Sequence, residues 1–232
     1  MAIKIFNEQV QKDYIEHEIF HASQESYPLM KYDEDYGGKK PFEKVRFFSV
    51  GLNPSLTGDA ITILNDLRKS HGSFDKVKEL TEYQNELKYS KQEKSKQIPY
   101  FKRIDGFFKE ISGSNTFKDS VFHYDFCQLR KTNSNKIKPV IKNNFKLLFG
   151  HFSQIIQIVN PEVIFIFNGF LSSLLLEKKF TTPKPDKKNG CYFLKGMNRS
   201  PKIVLANQLS GGATSKVHKE LLIWHSKRLI NE

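Results

Sequence analysis

The chain has 232 residues and carries 37 Lys and Arg against 25 Asp and Glu, a formal net charge of +12. That length suits one domain with a substantial core, and a charge of that size favours a polyanionic partner, nucleic acid before an anionic membrane, or else a Lys-rich solvated surface. The two cysteines, Cys127 and Cys191, are far apart and cannot build a four-thiolate site, which reads as a reduced, cytoplasmic setting. No signal peptide is visible in Met1–Tyr14, and no run is long and apolar enough to span a membrane.

Residues 1–44 read as an N-terminal helical extension, with Val10, Tyr14, Ile15, Glu18 and Ile19 forming a stripe and Asp33–Lys40 a loop. The first strand is 45–50. It stops at Gly51-Leu52-Asn53-Pro54-Ser55, where glycine permits a tight turn and proline stiffens it. A helix follows over 59–68, then a charged insertion or lid over 68–98, poor in apolar anchors. Tyr100, Phe101, Ile104, Phe107, Phe108 and Ile111 make a dense helical stripe of the kind that faces a core. A second strand fits 120–125, and one helix is expected over 138–158. The third strand, 162–167, is a continuous apolar run, as a parallel strand covered on both faces requires. Asn168-Gly169 ends it and a helix opens at Phe170. Residues 178–202 read as a Lys-rich loop or hairpin, 202–206 as the fourth strand and 216–230 as a closing helix.

Strands that alternate with helices predict a single α/β domain, a three-layer α/β/α sandwich with a mainly parallel four-stranded sheet. Parallel strands bring their C-terminal ends to one edge, where such folds bind ligands. Here the tips are Gly51–Pro54, Asp125–Gln128, Asn168-Gly169 and Asn207–Gly212. Asn53 and Asp125 are expected within about 10 Å of each other on that edge. Nucleophile-elbow, Walker and dinucleotide-binding patterns are absent, and the histidines lack the spacing of a zinc protease.

These tips resemble the uracil-DNA glycosylase superfamily. Gly51-Leu52-Asn53-Pro54-Ser55 is similar to its first motif, in the Gly-x-Asn-Pro form of the mismatch-specific and single-strand-selective branches. Val121–Leu129 resembles the strand and loop that read the flipped base, and Pro161–Gly169 the segment before the last motif. Asn207–Gly212 stands where the superfamily has His-Pro-Ser or Asn-Pro-Ser. The resemblance spans residues 45–230 and is carried by letter mainly in the first motif.

What the resemblance implies is a DNA glycosylase-like monomer that needs no cofactor or metal, acts on DNA and does not act at membranes. Asn53 and Asn207 would be catalytic: Asn53 holds the water below the sugar, and Asn207 stands at the second motif. Leu52, Asp125 and Phe126 would contact the base. Phe74 lies beyond the usual stacking position, and Tyr100, Phe101 and Phe126 are substitutes. Ser55, Lys131, Ser210, Gly211, Gly212 and Lys216 would contact phosphates, with the basic stretches 130–146 and 178–202 beside the pocket mouth. Asp125 replaces the asparagine that reads uracil; an ionised carboxylate only accepts, so it suits an amino donor such as cytosine N4. Plain structural roles stay open: Asp125 as a helix cap, Asn207 as a turn residue, Phe126 as core. Two other functions also stay open: an inactive nucleic-acid or nucleotide-binding protein of this fold, and a different α/β enzyme acting on a nucleotide or other small anion.

Overall fold

The computed structural model describes residues 2–19, 45–52, 99–113, 121–129, 134–195, 201–206 and 215–231. The expected loop at 33–40, helix at 59–68, charged insertion at 68–98 and tip at 207–212 lie outside the described residues. Among the described residues the elements are α1 (Ala2–Glu16), β1 (Phe47–Gly51), α2 (Pro99–Ser112), β2 (Val121–Asp125), a short 3-10 turn at Ser134–Lys136, α3 (Ile137–Asn143), α4 (Phe145–Val159), β3 (Val163–Phe167), α5 (Gly169–Glu177), β4 (Lys202–Ala206) and α6 (Lys216–Asn231). The chain divides into two compact units, interleaved in sequence. One holds α1, Leu52, Asp125 at the end of β2 with the segment after it, α3 and α4; the other holds the rest of the sheet with α2, α5 and α6.

In the second unit the four strands form one parallel sheet in the order β2-β1-β3-β4. β1 pairs with β3 from Phe47–Val163 to Val50–Ile166, and β3 pairs with β4 from Val163–Lys202 to Phe167–Ala206. This is the α/β class and the parallel sheet that the alternation predicts. Both faces of β1, β2 and β3 are buried, which explains the unbroken apolar run of β3 and the mainly apolar side chains of the other two. On one face Phe47, Val121, Phe165, Phe167 and Val204 pack with Phe101, Ile104, Phe107, Phe108 and Ile111 of α2 and with Ile223 and Leu229 of α6. Phe107 and Phe108 meet Phe165 edge-on, both at ring separations of 5.4 Å, an arrangement aromatic quadrupoles favour. The pleat sends Phe48, Phe122 and Tyr124 to the opposite face, where Phe48 stacks on Phe122 at 5.3 Å.

The closing helix α6 is tied to the sheet at its C-terminal end. Arg46 donates to the Ile230 carbonyl and Lys202 to the Leu229 carbonyl, two cations at the negative end of the helix. Residues 180–195 fold back as a hairpin, one of the two alternatives for this stretch. Its limbs bridge at Thr181–Leu194, and Tyr192 pairs antiparallel with Ile203 of β4. Gly190 at its tip has φ +64°, which favours glycine, and a Cβ there would lie 2.8 Å from the His225 imidazole of α6, which would have to shift.

The first unit contains two departures from the sequence reading. The expected helix at 138–158 is two helices, α3 and α4, broken at Asn144. The Asn144 side chain donates to the Val140 carbonyl at 3.1 Å, and its own carbonyl accepts from Leu148 N–H. The amide thus closes one helix and opens the next. In α1 the buried stripe is Ile3, Phe6, Val10 and Tyr14, while Ile15 is exposed. Ile15 is about 100° round the helix from Tyr14, too far to share its face.

Candidate functional site at the ends of the strands

β1 ends at Gly51 because the next residues turn, and Leu52 is buried at that turn. β2 ends at Asp125, 4% exposed and so held almost entirely inside the protein. Three hydrogen bonds shape the chain after it. Cys127 N–H donates to the Leu52 carbonyl at 2.9 Å. Gln128 N–H donates to the Tyr14 hydroxyl at 2.9 Å, and the Gln128 side-chain amide donates to the Asp125 carbonyl. The Tyr14 hydroxyl also lies 4.0 Å from Cys127 Sγ. The two tips are therefore joined backbone to backbone, with the segment after Asp125 pinned by α1.

Of the residues singled out from the sequence, Leu52 and Asp125 are brought together by this arrangement. Asn53, Ser55, Phe74, Lys131, Asn207, Ser210, Gly211 and Gly212 lie outside the described residues. Phe126 is fully buried, stacked on Phe145 at 5.6 Å and tilted against Phe152 at 5.6 Å, which is the core role left open for it. Lys216 opens α6 on the surface, 3.9 Å from Glu220. At the end of β3, Asn168 caps α5: its side-chain oxygen accepts from Leu171 N–H at 3.0 Å. Among the described residues no group of three His, Cys, Asp or Glu side chains is placed to hold a metal ion.

Two polar pairs were not singled out from the sequence. In the sheet, Ser49 Oγ of β1 and His123 Nδ1 of β2 are 2.7 Å apart, both buried, with the imidazole edge-on to Phe101 at 4.9 Å. In the first unit, His151 Nε2 of α4 donates to Asp13 Oδ2 of α1 at 2.7 Å, and the His151 ring stacks on Tyr14. That pair lies beside an open cleft of about 590 Å³ lined also by His17, Asn143, Asn144 and Lys146. A period-2 or 3.6 pattern marks which face a residue takes, but no local pattern pairs residues 74 or 138 positions apart. Burial pushes the Cys191 thiol above its ordinary range, against the opposing pull of Lys202.

No family model matches the chain, and no curated protein matches it significantly.

Proposed function

We propose that this chain is a divergent DNA glycosylase-like protein of the uracil-DNA glycosylase superfamily, a cytoplasmic monomer that binds DNA and takes an extruded base at the tips of β1 and β2. The observation that supports it most is the hydrogen bond from Cys127 N–H to the Leu52 carbonyl. It joins the two segments that the resemblance assigns to the water-holding motif and to base reading. Asn53 follows Leu52 directly, and Asp125 stands two residues before Cys127.

In this reading Asn53 orients a water below the sugar, and an amide there accepts no proton, so stabilisation of the oxocarbenium-like state is electrostatic. Asn207 serves as the second catalytic amide, and Ser210, Gly211 and Gly212 bind a phosphate through backbone N–H groups. Ser55, Lys131 and Lys216 add phosphate contacts. The buried Asp125 selects a base with an amino group at the position where uracil has a carbonyl. Two facing acceptors with no proton between them cost about 1–3 kcal/mol, roughly 5- to 150-fold in discrimination.

The test is base release from single-stranded oligonucleotides containing uracil, cytosine, hypoxanthine or mismatched bases. Wild type is expected to process uracil poorly, Asp125→Asn to gain uracil binding or release, and Asn53→Ala to lose turnover while still binding DNA. Efficient uracil release by wild type, unchanged in Asp125→Asn, removes Asp125 as the base reader. A second reading, an inactive binding protein of the same fold, is favoured by Asn207-Gln208-Leu209-Ser210, which lacks the histidine and proline of the usual second motif. DNA binding with no abasic product on any substrate selects it.

A further inference from the structure

α6 buries one face and leaves an unusual one outside. Ile223, Ser226 and Leu229 point into the core of its unit. Opposite them Val217, Leu221 and Trp224 are 63%, 56% and 61% exposed. Their spacing of four and three residues aligns them in a single stripe along the helix. Arg228, exposed, continues the same side one turn beyond the indole, and Lys227, also exposed, flanks it. Trp224 is also the only tryptophan of the chain.

Large exposed indoles are costly to leave in water, and this one stands beside cations on a chain of net charge +12. We infer that the outer face of α6 is a stacking platform for single-stranded nucleic acid, with a base on the Trp224 ring and Lys227 on a neighbouring phosphate. Charge complementarity selects this occupant. A second copy laid on the same stripe would have to approach against the net charge of +12 that each chain carries. An anionic lipid surface would attract the charge, but a stripe of three apolar side chains on a helix whose other face is buried offers little to insert. Stacking needs only one flat ring and a cation within reach, because every base has a π-face. The inference uses the polyanion side of the proposed function and not base cleavage, and it shares no residue with the strand tips.

The sole tryptophan makes its own reporter. Wild-type protein titrated with unlabelled oligothymidylate at low salt is expected to show saturable quenching of Trp224 emission. By anisotropy of a labelled oligonucleotide, Trp224→Ala is expected to bind about 5- to 150-fold more weakly, with Trp224→Phe retaining part of the difference. Lys227→Gln is expected to flatten the log–log salt slope by about 0.7. Any of four results overturns the inference: oligonucleotide bound with unchanged emission; Trp224→Ala binding as tightly as wild type; a blue shift with phosphatidylserine vesicles but none of the quenching by oligonucleotide; or a concentration-dependent blue shift with dimer mass in place of that quenching. Absence of oligonucleotide binding at low salt overturns it as well. Should Trp224→Ala fail to fold, the emission of wild type alone decides. Quenching without base release leaves this surface standing and removes only the glycosylase reading; base release without quenching does the reverse.

Discussion

Replacing Tyr14 by phenylalanine tests the join between α1 and the segment after β2. Tyr14 is fully buried, and its hydroxyl accepts the Gln128 N–H at 2.9 Å from 114 residues away in sequence. Phenylalanine keeps the ring and its stacking on His151, 6.0 Å between centroids, so no cavity opens. What is lost is the acceptor for a buried backbone donor, worth about 1–3 kcal/mol. In a chain of this length each kcal/mol moves Tm by about 2–4 °C, so Tyr14→Phe should lower Tm by roughly 2–12 °C. Tyr14→Ala adds the cavity of a missing ring and should cost about 3–5 kcal/mol. The assay is thermal unfolding by circular dichroism, paired with amide hydrogen exchange at Gln128. Loss of protection at Gln128 in Tyr14→Phe, with α1 and α4 still protected, would locate the effect at the joint. A Tyr14→Phe protein with unchanged Tm and unchanged Gln128 exchange would refute the reasoning, since the hydroxyl would then contribute nothing to holding that segment.

Further outcomes follow from the same structure. Ser49→Ala removes the hydroxyl 2.7 Å from His123 Nδ1 inside the sheet and should cost about 1–3 kcal/mol, measured by urea unfolding; Ser49→Thr, which keeps the hydroxyl, should recover part of it. Asn168→Ala deletes the N-cap of α5 and should cost about 1 kcal/mol, while Asn168→Asp should restore most of that in the same denaturation series. Cys127 and Cys191 are both buried, so a thiol reagent should label neither in the native protein and both after unfolding. Because the folded Cys191 pKa is raised, its contribution to stability is complete while the thiol is protonated in both states. It declines as pH rises through and beyond the ordinary thiol range of about 8.5. A Cys191→Ala protein, tested over that range by denaturant unfolding, should show a shallower alkaline loss of stability than wild type.

Local physics reaches a long way into this chain. The strand at 163–167 is legible because a parallel strand buried on both faces must be apolar throughout, and its end because Asn168-Gly169 stops it. The aromatic stripe of α2 is legible because a helical face that hydrophobic must pack against a core. Continuous burial hides as much as it marks. In a strand where every position is apolar or buried, alternation no longer says which face a side chain takes, so the Ser49–His123 pair emerges only once β1 lies beside β2. The break at Asn144 is equally silent, since the apolar period runs through it and only the amide's bond to Val140 shows where one helix stops. The strand order, the pinning of Gln128 by Tyr14 and the pairing of Asp13 with His151 are decisions of tertiary structure. They join residues whose separation in sequence carries no periodic signal, and only the closing of the chain on itself selects which buried donor meets which acceptor.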